Sequence, residues 1–237
     1  MTVNSTSFTD PSHLMADISV SSSAATSLRN VTVTIPGPAS ASCTNCLGIT
    51  AAPNIWFLSP SSRGQGAAGQ TIVITGSNFL AGSWPASAVL FSGGGITVNS
   101  VSRTNSTHLS VNITVDPLAA IGGRNVTIVN LDGGRDTDTN AFTVNARPTI
   151  MLLSPASLRR GRSYQAITIT GSGFASGASV AFSGSGITVN SATVNSPTQL
   201  TVVVSLSSRA STGTRNVTVT NPDAGSYMLS DGFTVTN

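Results

Sequence analysis

Arg124-Asn125-Val126-Thr127-Ile128 is a short phrase that the chain states three times, with Arg29-Asn30-Val31-Thr32-Val33 before it and Arg215-Asn216-Val217-Thr218-Val219 after it. Each version alternates polar and β-branched residues at period two. That is how a strand with one face in a core and the other in water reads. The residues on either side of the phrase repeat as well, so the fold can be worked outward from it.

Pro53 and Pro148 stand 95 positions apart, with Leu58-Ser59-Pro60 matched by Leu153-Ser154-Pro155. The same spacing holds from Gly76-Ser77-Asn78-Phe79 to Gly171-Ser172-Gly173-Phe174. It shortens to 91 at Phe91 and Phe182, so the first copy has four extra residues near Ser83-Trp84-Pro85-Ala86. From there it stays constant to Phe142 and Phe233. The N-terminal stretch matches only the second part of the unit. Met1-Thr2-Val3-Asn4-Ser5 lies on Ile96-Thr97-Val98-Asn99-Ser100, and Leu14 lies on Leu109 and Leu200. An internal repeat of this length is one structural unit used more than once. The reading is two whole modules and a half: residues 1–52 as the back half of a module, 53–147 and 148–237 as complete ones.

The composition is that of an all-β chain. All 11 basic residues are Arg and all 8 acidic residues are Asp. Lys and Glu, both good helix formers, are missing, while Thr, Val, Ser, Gly and Asn abound. No apolar run approaches the 18 residues or so that a membrane span needs. Met1-Thr2-Val3-Asn4-Ser5 has neither the basic start nor the apolar stretch of a secretion signal, so an exported protein would have lost it or carry it upstream. The net charge of +3 reflects scarce charges and offers no case for nucleic acid.

Within the first whole module, Ile55-Trp56-Phe57-Leu58 reads as an opening strand that ends at Ser59-Pro60. Gln70 to Gly76 alternates cleanly. Phe79 follows as a core plug, then Val89-Leu90-Phe91, Ile96-Thr97-Val98, Leu109 to Val115, the Arg124 strand, and Ala141 to Val144. Seven or more short strands at this spacing mark a sandwich or barrel. Phe79/Phe174, Phe91/Phe182, Leu109/Leu200 and Phe142/Phe233 are the expected core pairs.

Leu-Ser-Pro, a Gly-rich gap, Thr-Ile-x-Ile-Thr-Gly-Ser-x-Phe and the later Arg-Asn-Val-Thr strand together resemble the TIG/IPT family of immunoglobulin-like domains. The likeness is to the tandem versions of bacterial surface and secreted proteins. It implies seven-stranded immunoglobulin-like β-sandwiches, used as spacers, adhesive units or accessory domains. No catalytic motif comes with it, and no base-reading loop of the DNA-binding relatives can be carried over.

The remaining chemistry is sparse. His13 and His108 occupy the same repeat position, where the third copy has Gln199, which points to a structural role before a strand. No Ser lies on a nucleophile elbow with triad partners. Cys43-Thr44-Asn45-Cys46 offers two ligands where zinc needs four, and a small disulfide between Cys43 and Cys46 is the expectation. Asp136-Thr137-Asp138-Thr139-Asn140 resembles the start of a calcium loop but lacks its Gly and distal Glu, so Asp136, Asp138 and Asn140 form a weak candidate at a hairpin tip. Arg159, Arg160 and Arg162 cluster on a loop, where a solvated surface is the expectation and contact with an anion or acidic glycan the alternative. Trp84, on the inserted loop, is placed either for stacking on a sugar or against the neighbouring module. Asn30, Asn125 and Asn216 each head a glycosylation sequon.

The sequence thus favours a non-enzymatic extracellular or cell-surface protein without cofactor: a stalk, an adhesive segment or a self-assembling fibre subunit. Its partners would be other copies of itself or further Ig-like modules, possible glycan contact aside, with no nucleic acid and no membrane span. The alternative is a polysaccharide- or ligand-binding accessory region of a larger enzyme or receptor. Residues 1–52 lack any counterpart of Ile55 through Phe91. Their strands should present a bare apolar face and unpaired edges. Completion by upstream sequence, or cover from another chain, is expected.

Overall fold

The computed structural model describes residues 1–237. They fall into two compact units, Met1–Pro53 and Asn54–Asn237.

The larger unit holds two sandwiches. In the first the strands are β5 (Asn54–Ser59), β6 (Ser62–Gly64), β7 (Gln70–Ser77), β8 (Val89–Phe91), β9 (Ile96–Asn105), β10 (His108–Val115), β11 (Gly122–Val129) and β12 (Arg135–Asn145). They form two four-stranded sheets, ordered β5-β7-β10-β9 and β6-β12-β11-β8. The second sandwich repeats this with β13 (Thr149–Ser154), β14 (Ser157–Arg159), β15 (Gln165–Ser172), β16 (Ser179–Phe182), β17 (Ile187–Ser196), β18 (Gln199–Leu206), β19 (Gly213–Thr220) and β20 (Ser226–Thr236). Its sheets are β13-β15-β18-β17 and β14-β20-β19-β16. Pairing is antiparallel except where β6 runs beside β12, and β14 beside β20, in parallel. The only helical element is one 3₁₀ turn, Ala86–Ala88.

Period-two alternation does what it should. Ile72 and Ile74 of β7, Leu109, Val111 and Ile113 of β10, and Val126 and Ile128 of β11 are fully buried between the sheets. Phe142 and Phe233 are likewise buried, each meeting Phe91 or Phe182 edge-on at 5.3 and 5.2 Å. Here one expectation needs correcting. Phe91 and Phe182 are only half-buried, because β8 and β16 are edge strands and their rings lie at the rim of the core. Trp84 is another correction. It is neither a sugar platform nor a contact to the next module: the inserted loop folds it onto Phe79 at 6.2 Å, buried, with Nε1–H donating to the Leu80 carbonyl at 3.0 Å.

The smaller unit has β1 (Thr2–Asp10), β2 (His13–Ser19), β3 (Leu28–Thr34) and β4 (Ser40–Gly48), as two separate two-stranded sheets, β1-β2 and β3-β4. None of these strands has a buried residue. Leu14 is 48% exposed and Val31 37%, whereas their repeat counterparts Leu109 and Val126 are 0% exposed. The counterparts of β7 and β8 that cover those positions in the first sandwich are absent here.

One turn assignment also fails. Asp136 to Asn140 lies within β12 and not at a hairpin tip, and Cys43 to Cys46 likewise lies within β4. The cause is a bulge. Between Arg29/Val31, Arg124/Val126 and Arg215/Val217 the partner strand advances by four residues while the first advances by two. The two extra residues lengthen the last strand of each repeat. Cys43 and Cys46 are free thiols, not a disulfide; the Cys46 thiol donates to the Cys43 carbonyl at 3.3 Å.

Candidate functional site

The recurring Arg-Asn phrase turns out to build that bulge. Asn45, Asn140 and Asp231 sit at its crest with φ of +57°, +54° and +52°. These are left-handed values that Asn and Asp tolerate better than most residues. Asn30 Oδ1 accepts the Asn45 N–H at 2.8 Å, Asn125 Oδ1 that of Asn140 at 3.0 Å, and Asn216 Oδ1 that of Asp231 at 3.1 Å. The preceding Arg locks the loop before its strand. Arg29 donates to the Ala25 carbonyl at 3.1 Å, Arg124 to that of Ala120 and Arg215 to that of Ser211. The sequon asparagines therefore all have structural work in their own repeats.

His13 and His108 open β2 and β10 from matching turns. His13 Nδ1 lies 3.0 Å from Asp10 Oδ1, and His108 Nδ1 lies 3.2 Å from Asn105 Oδ1. Hydrogen bonds from the Ser12 backbone and hydroxyl, with His13 adding to them, hold the Asp10 carboxyl below its ordinary range. Hydrogen bonding with the neighbouring Cys46 thiol pushes the Cys43 thiol upward, away from reactivity. Asp136 Oδ2 accepts the Ile55 N–H at 2.7 Å, which tethers β12 to β5 of the facing sheet. Asp136, Asp138 and Asn140 make no metal cluster, and no group of three or more His, Cys or acidic side chains exists elsewhere.

What the structure brings together instead is a joint between the two sandwiches. The hairpin tip Asn221-Pro222-Asp223-Ala224-Gly225 of the second is folded by its own sequence. The Asn221 N–H donates to the Gly225 carbonyl at 2.9 Å, and the Gly225 N–H to Asp223 Oδ1 at 3.0 Å. This tip docks on the loop after β6. The Gly64 N–H donates to the Asp223 carbonyl at 3.1 Å, and the Ser226 N–H to the Gln65 carbonyl at 3.1 Å. The two glycines meet so closely that a side-chain carbon on Gly64 would collide with the Gly225 Cα. Asp223 Oδ2 accepts from Asn145 Nδ2 at 2.9 Å. Ser226 Oγ donates to the Gly66 carbonyl at 3.2 Å.

Around this backbone clasp, Gln65 reaches both ways. Its Nε2 donates to the Ala119 carbonyl at 2.6 Å, and its Oε1 accepts the Arg147 N–H at 3.3 Å. The Arg147 guanidinium lies 5.1 Å over the Tyr227 ring, and Ala224 packs against the first core. Burial at the joint lowers the pKa of Arg63, with Asp223 across the contact pulling it back. Of these residues the sequence marks only Arg147, because Ala146-Arg147 leaves almost no linker between the two whole modules. The available signal was a difference between aligned repeats: Gly64 and Gln65 in the first correspond to Arg159 and Arg160 in the second. Arg159, Arg160 and Arg162 themselves are exposed on the loop that starts at the end of β14.

The arrangement is one of tandem immunoglobulin-like sandwiches fastened end to end, together with exposed hairpins of the same repeat. Residues 53–144 match the IPT/TIG domain, and the chain carries that domain there. Residues 147–227 match domain III of the alpha subunit of quinohemoprotein amine dehydrogenase, a different profile on the same strand order. No curated protein matches the chain. Among solved structures it is similar to the Plexin A4 extracellular region (16% identity, 78% of this chain, 16% of that one, TM-score 0.47). It is also similar to the SGBP-B protein of the Bacteroides ovatus mixed-linkage glucan utilization locus (16%, 73%, 42%, 0.25) and to the Yersinia pseudotuberculosis adhesin InvE (15%, 78%, 59%, 0.30). The chain spans less than two thirds of the length of each. No helix is long and apolar enough to cross a membrane.

Proposed function

We propose that this chain is a non-enzymatic structural protein of the cell surface or extracellular space, a stalk or adhesive segment that assembles through its own modules. The observation that carries this reading is the joint. A stalk must transmit position, and a Gly64–Gly225 backbone clasp between sandwiches, with Asp223 satisfied at both oxygens, suits that task better than a flexible linker would. The histidines support the same reading, since each is spent on its own hairpin turn. Ser12 Oγ and Asp10 both meet His13 at Nδ1, and Thr107 Oγ1 and Asn105 both meet His108 at Nδ1, so neither ring bridges a hydroxyl to a carboxylate through its two nitrogens.

The exposed faces of β2 and β3 are the self-association surface in this reading, open to other copies or to further immunoglobulin-like strands. Small-angle X-ray scattering tests the coupling of the two sandwiches. Gly64→Val forces the clasp apart, so the variant should show a broader, more flexible distance distribution than the natural chain, with both sandwiches still folded. A natural chain whose distance distribution is already as broad as that of Gly64→Val would overturn the proposal.

A further inference from the structure

The two sandwiches share one pole, built on the same backbone. In the first, Gly66 N–H donates to the Val115 carbonyl at 3.1 Å and Val115 N–H to that of Ala67 at 2.7 Å. In the second, Gly161 N–H donates to the Leu206 carbonyl at 3.0 Å and Leu206 N–H to that of Arg162 at 2.7 Å. Gly66 and Gly161 have φ of +82° and +79°. The side chains on this common frame differ completely. Where the first pole has Gly64, Gln65, Ala67 and Leu118, the second has Arg159, Arg160, Arg162 and Arg209. The first pole is the face on which the next sandwich docks. The second cannot repeat that contact, because Arg159 brings a side chain to the position where the joint has no room for a single carbon.

These four arginines stand apart from most others in the chain. Arg29, Arg63, Arg103, Arg124 and Arg215 donate to backbone carbonyls, and Arg147 lies over Tyr227. The four of the second pole are exposed, and their guanidiniums have no hydrogen bond or ion pair. The second sandwich contributes only two acids, Asp223 and Asp231; one is held in the joint and the other lies at the β20 bulge. Like charges on adjoining loops repel unless an anion comes between them. Beside them Tyr164 is 74% exposed at φ +52°, where the first sandwich has Gly69 at +61°. A tyrosine in that conformation is strained by roughly 1 kcal/mol or more, and such strain concentrates at functional positions.

We propose that this pole binds an anionic polysaccharide. The carboxylate or sulfate groups are met by the guanidiniums of Arg159, Arg160, Arg162 and Arg209, and one sugar ring stacks on Tyr164. This goes beyond the structural reading of the chain and does not depend on it.

The test is salt-gradient affinity chromatography of the full chain on immobilised polygalacturonate, heparin and neutral dextran. The natural chain should be retained on an anionic sugar and pass through dextran; polygalacturonate or heparin as the stronger matrix assigns the site to carboxylate or sulfate. The combined variant Arg159→Gly, Arg160→Gln, Arg162→Ala, Arg209→Leu, which restores the first pole's residues, should elute without retention and melt as the natural chain does. Arg162→Ala alone should reduce the salt dependence of binding by roughly one ion. Tyr164→Gly should weaken binding by roughly five-fold. Gly64→Val, at the joint, should leave retention unchanged. The proposal is overturned by no retention of the natural chain, by equal retention of the combined variant, or by retention on polyphosphate or poly-aspartate but on neither sugar.

Discussion

At the scale of single residues, Asn125 and its two counterparts explain why the phrase recurs. Alternation predicted the strand, but it could not predict that the Asn side chain would hold a left-handed residue 15 positions further on. That role depends on a bulge in the partner strand, and period-two reasoning has no term for one. The Asn216→Ala variant removes the acceptor of the Asp231 N–H. It should lose about 1 kcal/mol of stability in chemical denaturation, the usual net worth of such a bond. The Trp84 misreading has a similar root. An inserted aromatic reads as decoration, yet a loop long enough to fold back lets the indole bury its ring on Phe79 while its N–H reaches Leu80.

At the scale of strands, most of the order was legible because buried positions recur in register across the repeats. What the pattern could not separate was an edge strand from a central one. Phe182 aligns with Phe91 as Phe233 does with Phe142, but β16 borders its sheet and leaves its ring half in water. Phe233→Ala should therefore cost about 3–5 kcal/mol, and Phe182→Ala roughly half as much, in paired thermal or urea unfolding curves. The same bulge puts Asp136 within a strand and not at the expected hairpin tip. Asp136, Asp138 and Asn140 are thus spread along a strand and not gathered by one loop.

At the scale of the molecule, the joint was invisible in either sandwich alone. A close glycine contact leaves no trace in hydrophobic periodicity, and only the substitution of Arg159 for Gly64 between repeats marks it. The half repeat, by contrast, was legible as a deficit. Leu14, Ile18, Val31 and Val33 are all more than a third exposed, whereas full burial of such a side chain contributes roughly 1.5–3 kcal/mol. Amides across Leu14–Val33 should exchange with deuterium far faster than those of the matching stretch Leu109–Ile128. Protection that appears only as protein concentration rises would identify another copy as the cover.

The parallel pairing of β6 with β12, and of β14 with β20, has a mechanical meaning. A pull along the chain enters each sandwich near its first strands and leaves through its last. In a parallel pair those two ends are drawn in opposite directions along the same axis. The load therefore falls in shear on the register Ser62–Thr143, Arg63–Val144 and Gly64–Asn145, and on its counterpart from Ser157–Thr234 to Arg159–Thr236. Bonds loaded in shear yield together, whereas a hairpin pulled open at its end yields one rung at a time. Gly64 belongs to both the shear patch and the clasp between sandwiches. Tension that reaches the first sandwich therefore meets its latch and its coupling to the second at the same residue.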